Sequence, residues 1–335
     1  MIYAPILIPT LCRDKHFIRC IESLKKNKWA KYTDVYIALD YPTKESHWEG
    51  YNKICEYLNG EFNEFAAFNI IKREHNYGAV RNMRELRNDI LKKYDRFIRT
   101  DDDCEFSPNF LEYMDKCLEK YQEDDSVLGV TGYSYPVKWN ILSSYNTFKN
   151  SLIFPMWGTG FWRDKYIKMQ NDIENGYIRE KFQNKKNNMT DARYLDCINN
   201  IYNYGNDNLL DRATDVACGC YMQLIGKSII TPIVSKVRNY GFDGSGLYCQ
   251  DTVNDISKKN ASCYDYRLQE IDQQQQFTPT VEEHYDFESN KILLNQFDSR
   301  EKKLMIKSLV KFRCKKLIIT IIGQKMFRKL WSSRN

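Results

Sequence analysis

The first 133 residues alternate short apolar runs with helix-patterned stretches, and few folds accommodate that alternation. Residues 3–9 (Tyr-Ala-Pro-Ile-Leu-Ile-Pro) are almost continuously apolar, the pattern of a strand buried on both faces. Behind Asp14, Phe17, Ile18, Ile21 and Leu24 recur at helical spacing. Strands are predicted again at 34–39, at 68–72, through Phe97 to the Asp101 tip, and at 127–132. Between them run helices through Tyr51, Ile54 and Leu58, from Ala79 to Lys93, and along Phe110, Leu111, Met114 and Leu118. This order predicts an α/β class: βαβ units around a mostly parallel, Rossmann-like sheet flanked by helices. Ligands of such sheets bind beyond the carboxyl ends of the strands. Thr10, Arg13, Asp40, the segment His75–Arg81 and Asp101–Asp103 all fall there, so four strand tips meet on one edge.

The fourth tip carries three consecutive carboxylates, Asp101, Asp102 and Asp103. Such a cluster is costly to bury unpaired, because like charges repel and burial disfavours the ionised form. A solvated acidic turn would account for it. So would a hard divalent cation, since Mg²⁺ is typically held by one or two carboxylates together with substrate phosphates. Ser107 and Pro108 are suited to cap and open the helix that follows.

Charge is distributed unevenly. The net formal charge is +6, yet Arg300–Asn335 holds twelve Lys/Arg against one Glu, leaving 38 basic and 43 acidic residues before it. Eleven Cys, without a Cys-x-x-Cys pair or zinc-ligand spacing, suggest reduced thiols acting as small hydrophobes. With a strand beginning almost at Met1, no signal peptide is expected, and the apolar run 317–323 is too short to span a bilayer.

After residue 133 the alternation stops. Phe154-Pro-Met-Trp-Gly-Thr-Gly-Phe-Trp reads as an aromatic loop, in which Phe161 and Trp162 suit a core. Helices are predicted near 162–171, 190–203 and 207–226, and a late strand at 228–237 that Pro232 places at an edge, bulges or breaks in two. Gly241-Phe-Asp-Gly-Ser-Gly reads as a turn or lid, and Gln273–Gln276 as a linker.

Pro9-Thr10 with Arg13, Asp40, Asn76-Tyr-Gly-Ala-Val-Arg-Asn and the acidic fourth tip together resemble GT-A nucleotide-sugar glycosyltransferases of the family 2 type. Asp101-Asp-Asp-Cys-Glu-Phe-Ser-Pro-Asn-Phe-Leu-Glu-Tyr-Met is especially similar to the acidic segment of the N-acetylglucosaminyltransferase I group and its bacterial relatives. The resemblance covers about residues 1–250. It implies a GT-A domain over 1–295, with a nucleotide-binding half (1–133) and an acceptor-binding half (134–250), and a basic amphipathic tail at 296–335. It implies Mn²⁺ or Mg²⁺ on Asp103, with Asp102 on ribose or a metal-bound water and Asp101 in support. Thr10, Arg13, Asp40 and Arg81 would contact the nucleotide-sugar, and Trp157 and Gly158 the donor sugar or acceptor. An inverting transfer needs a carboxylate base opposite the leaving group. Val237-Arg-Asn-Tyr-Gly matches a segment that follows this base in similar sequences, which points to Asp215, with Asp211 one turn earlier as the reserve. Thr214 and Ala217 or Cys218 stand where the similar sequences carry Trp.

The implied activity is hexosyl or N-acetylhexosaminyl transfer from a nucleotide-diphosphate sugar to a glycan or lipid-linked glycan, in bacterial capsule, O-antigen or lipopolysaccharide synthesis. A sugar nucleotidyltransferase is the alternative enzyme, although Pro9-Thr10-Leu11-Cys12-Arg13 lacks the glycine-rich loop such enzymes carry. A non-catalytic nucleotide-sugar binder is the other alternative. Apolar and basic residues interleave over 302–331, which predicts a helix on an anionic membrane surface and a cytoplasmic protein at the inner face of the cell membrane. No nucleic-acid motif accompanies the charge.

Overall fold

The computed structural model describes residues 1–136, 138–151, 153–178, 180, 214–246, 251, 266–283 and 299–332. The chain divides into two compact units, one of residues 1–150, 155–165 and 229–286, the other of 151–154, 166–228 and 287–335.

In the first unit, β1 (Ile6–Thr10), β2 (Asp34–Leu39) and β3 (Ala67–Lys72) alternate with α1 (Asp14–Lys25), α2 (Glu45–Tyr57) and α3 (Gly78–Leu91). Next come β4 (Arg96–Arg99), β5 (Cys104–Phe106), α4 (Phe110–Lys120), β6 (Val127–Thr131), β7 (Thr147–Asn150) and β8 (Thr159–Trp162). After α5 (Arg163–Glu174) and α6 (Thr214–Ile225) lie β9 (Ser228–Pro232), β10 (Val237–Asn239) and β11 (Val281–Glu282). The helices α7 (Ser299–Ile322) and α8 (Gln324–Ser332) close the described chain.

Nine strands form one sheet in the order β11-β7-β9-β6-β8-β4-β1-β2-β3, and β5 and β10 form a separate antiparallel pair. The run β4-β1-β2-β3 is parallel, with Ile6 opposite both Val35 and Ile98. The α/β class expected from the alternation is therefore present. Burial of β1 on both faces accounts for its unbroken apolar run: Ile6, Leu7 and Ile8 are inaccessible. Phe17, Ile21 and Leu24 of α1 are buried, as are Phe110, Leu111, Met114 and Leu118 of α4. Each such side chain contributes roughly 1.5–3 kcal/mol in water-to-core transfer.

Two local expectations change and a third is narrowed. The fourth helix opens at Phe110 rather than at Pro108, and neither Ser107 nor Asn109 caps it through a side chain. Instead Asn27, buried at the end of α1, accepts from the Leu111 amide at 3.0 Å. The aromatic loop ends in a central strand, β8, antiparallel to both β4 and β6, with Phe161 and Trp162 in the core. The late strand breaks in two after Pro232, one of the outcomes expected there, but its second piece, β10, leaves the main sheet to pair with β5. The expected helix at 190–203 lies outside the described residues.

Gln273–Gln276 is an exposed bridge between two anchors, buried Ile271 and Phe277. Asp272 beside it accepts from buried Lys236 and from Asn109 Nδ2 (3.1 Å), while Glu112 accepts from the Phe277 amide at 3.1 Å. In the second unit, Tyr221 of α6 donates to Asp172 of α5 at 2.5 Å.

Candidate functional site

The parallel order β4-β1-β2 sets three strand tips side by side, and Thr10 at the end of β1 ties its neighbours together. Its carbonyl accepts from the Asp40 amide at 2.9 Å, and its hydroxyl donates to Asp102 Oδ2 at 2.8 Å. Arg13, in the turn before α1, reaches over the fourth tip. One guanidinium nitrogen pairs with Asp102 Oδ1, and the other lies 2.9 Å from Asp103 Oδ2. These two carboxylates are almost wholly buried, with side chains 6% and 7% exposed, against 22% for Arg13. Burial opposes the charge on Arg13, but the paired carboxylates outweigh it and bind its proton more tightly than usual. Asp103 is pushed up to about 7, chiefly by burial, with Asp101 and Asp102 adding repulsion that Arg13 only partly relieves. Asp101 is a third exposed, with Arg99 at 3.3 Å.

A cover from much later in the chain completes the cluster. Pairing of β10 with β5 sets Asn239 opposite Cys104, so Asn239 Nδ2 donates to Asp103 Oδ1 (3.3 Å) and the Tyr240 amide to the Asp103 carbonyl (2.9 Å). Gly241 then lies directly on the carboxylate: a Cβ there would collide with Asp103 Oδ2. Two residues on, Asp243 Oδ2 lies 3.0 Å from His16 Nε2 of α1, and Ser245 Oγ donates to Asp243 Oδ1 at 2.6 Å. Burial lowers the His16 pKa more than Asp243 raises it, so this imidazole is neutral at pH 7. Asn239 and His16 are not among the expected site residues, and Gly241 and Asp243 enter only as part of the expected turn or lid. The Asn-x-Gly spacing in Val237-Arg-Asn-Tyr-Gly is the sequence signal for Asn239.

Trp157 and Gly158, in the same unit, border this region. The Trp157 ring meets Tyr133 edge-on at 4.6 Å and Phe242 at 5.8 Å. Gly158 has φ +59°, and a Cβ there would press within 2.8 Å of Val237 Cγ2 and 2.9 Å of Phe110. The aromatic segment and the Gly241–Asp243 turn are thus packed on each other beside the acidic tip.

Asp40 is a nearly buried hub at the end of β2. Oδ1 accepts from the amides of Tyr41 (2.9 Å) and Tyr77 (2.7 Å), and Oδ2 from Gly78 N (2.8 Å) and Asn76 Nδ2 (3.3 Å). These four bonds match the acceptor capacity of a carboxylate. They fix the turn that opens α3, where the first amides otherwise lack partners. Arg81, in the first turn of that helix, is exposed, with Glu85 at 4.0 Å and its guanidinium 4.2 Å from the Tyr77 ring centroid. Asp215 is the second residue of α6, in the second unit, and Asp211 lies outside the described residues.

Among the described residues no three His, Cys, Asp or Glu side chains converge on one point as a ready metal cage. The acidic tip nevertheless suits a hard cation. Its donors are carboxylate oxygens, and two buried carboxylates share a single guanidinium. Mg²⁺ or Mn²⁺ bound through one or two carboxylates plus a ligand's phosphates would need no larger cage.

No protein-family model matches the chain, and no curated protein matches it. Similar solved structures include S. aureus TarS, at 14% identity over 51% of this chain and 29% of that chain, TM-score 0.33. TarS 1–349 in complex with UDP-GlcNAc is 16% identical over 51% of this chain and 48% of that one, TM-score 0.34. Mannosyltransferase PcManGT from Pyrobaculum calidifontis, in complex with GDP-Man and Mn²⁺, is 12% identical over 48% of this chain and 45% of that one, TM-score 0.34. The chain thus spans less than half the length of each of these three.

Proposed function

We propose that this chain transfers a sugar from a nucleotide-diphosphate sugar to a hydroxyl of a glycan or lipid-linked glycan, with the donor held across the tips of β1, β2 and β4. The observation that carries this reading is the cluster of Thr10, Arg13, Asp102 and Asp103 at the carboxyl edge of the parallel strands, under the Asn239–Gly241 cover. Nucleotides bind such edges, and an arginine beside buried carboxylates can exchange them for phosphate oxygens. Asp103 would hold Mn²⁺ or Mg²⁺ and Asp102 the ribose or a metal-bound water, with Asp101 in support. When bound, the cation would stabilise charge developing on the departing diphosphate.

In this reading Asp40 acts by fixing the Asn76–Gly78 turn, so that Arg81 at the start of α3 faces the nucleotide with the helix N-terminus behind it. Trp157 offers an aromatic face to a sugar, and Gly158 lets the backbone come close. Asp215 would deprotonate the acceptor hydroxyl in an inverting transfer, with Asp211 in reserve.

A thermal-shift panel of UDP-, GDP- and TDP-sugars, with and without Mn²⁺, tests the proposal, because a ligand bound only by the folded state raises the melting point. One donor class is expected to stabilise the protein in a metal-dependent way, and Asp103→Ala to abolish that dependence. No shift from any nucleotide with metal present would sink the reading. Asp215→Asn should keep the donor shift and lose turnover, whereas a non-catalytic binder would be indifferent to the change.

A further inference from the structure

The second unit carries an exposed apolar stripe that the sugar-transfer chemistry does not use. Val310, Cys314, Leu317 and Ile321 of α7 follow one another at i, i+4, i+7 and i+11, and Ile318 adjoins them. At 3.6 residues per turn the five fall within about 100° of arc. All are exposed, Leu317 by 63% and Ile321 by 73%. Exposed cations frame the stripe: Lys311 borders one side, Arg313 the other, and Lys307 stands one turn before Val310. Beyond the Gly323 break, Met326 of α8 is 57% exposed with Lys325 beside it. From Lys302 to Ser332 the chain holds no Asp or Glu.

We infer that this face of α7, continued by Met326 of α8, lies in the plane of an anionic lipid surface, with Leu317, Ile318 and Ile321 among the acyl chains and Lys307, Lys311 and Arg313 at the headgroups. A purely apolar groove would favour the stripe alone, and nucleic acid the cations alone. An anionic bilayer interface rewards both at once on one helix side, and the absence of carboxylates removes the repulsion it would otherwise meet. No described helix is long and apolar enough to cross a membrane, so the contact is along the surface. The inference stands independently of the sugar-transfer reading.

Vesicle flotation of the full chain tests it, comparing phosphatidylcholine alone with phosphatidylcholine containing about one-third phosphatidylglycerol. The protein should float only with the anionic vesicles, and binding should weaken on raising salt from about 0.1 to 0.5 M. Lys307→Gln/Lys311→Gln/Arg313→Gln should bind about 100-fold more weakly, at roughly fivefold per cation. Leu317→Asp/Ile321→Asp should lose at least about tenfold, as two exposed apolar groups no longer insert. Circular dichroism reports folding of both variants, and the charge variant carries the test if the apolar one unfolds. Both should keep any nucleotide-induced thermal shift, which separates this outcome from failure of the donor site. Equal binding to neutral vesicles, or no binding to anionic ones, would overturn the inference. So would a concentration-dependent dimer, dispersed by Leu317→Asp/Ile321→Asp, in a protein that ignores vesicles.

Discussion

Arg13 is the only cation that touches both buried carboxylates of the acidic tip among the described residues, and its removal has a calculable cost. Breaking one partner out of a buried ion pair costs about 3–5 kcal/mol, because the remaining charge is left without compensation. Arg13 is about one-fifth exposed, so water recovers part of this and the low end, about 3 kcal/mol, applies to Arg13→Gln. For a domain of this size that corresponds to a melting point lower by about 6–12 °C. Arg13→Lys keeps the charge but cannot span both carboxylates, and should lose roughly half as much. The assay is thermal unfolding followed by circular dichroism, first in chelator and then with Mn²⁺. In chelator the variant should melt well below the parent. With metal, the gap should narrow, because an added cation takes over the neutralisation that the guanidinium supplied and no longer competes with it. Adding Asp102→Asn should also restore part of the loss, a coupling expected only of residues in contact. An Arg13→Gln variant that melts within a degree of the parent in chelator would refute the electrostatic reasoning.

Three further changes probe other parts of the framework. Asp40→Ala strips the caps from the Tyr77 and Gly78 amides and should cost about 3 kcal/mol in urea unfolding, Asp40→Asn about half that; a loss under about 0.5 kcal/mol would refute the hub assignment. Gly241→Ala forces the Asp103 carboxylate aside and should destabilise by about 1–3 kcal/mol while weakening any Mn²⁺-dependent shift, and parent-like melting with an intact shift would count against the close approach. Asp115 is buried, takes one bond from the Ala4 amide (2.9 Å), leaves Oδ2 without a partner, and is pushed up to about 7 by burial despite that bond and nearby Arg96. Since the folded state keeps a proton there that the unfolded chain releases near pH 4, stability falls as pH rises from about 4 to 7, by roughly 2–4 kcal/mol from this group. Asp115→Asn should remove that part of the slope; identical pH–stability curves for variant and parent would refute it.

The parallel half of the fold was readable because each of its strands is short, apolar and followed by a helix-period pattern, signals that depend only on neighbours in sequence. The same locality set Thr10, Arg13, Asp40 and the Asp triplet on one edge. What could not be read is what comes from far away. Asn239 and Gly241 act on Asp103 because β10 leaves the main sheet to pair with β5, a choice made by tertiary pairing rather than by the residues of 228–237. Trp157-Gly-Thr-Gly hid a central strand, because Gly160 within Thr159–Trp162 and Gly158 just before it weaken the strand pattern until β4 and β6 are in place to bury it. The cap of α4 was sought in Ser107, the adjacent hydroxyl, and is supplied by Asn27. Asp40 was legible as a tip residue, but its four internal bonds follow only from the placement of the Asn76–Gly78 turn.

The cover of the acidic tip arrives 136 residues after the carboxylate it protects. On a ribosome adding about 5–20 residues per second, the three aspartates therefore wait roughly 7–30 s before Asn239 and Gly241 can close over them. Throughout that interval the nascent edge is open to water and to any passing cation, and a chain cut short before Val237 would keep it open for good.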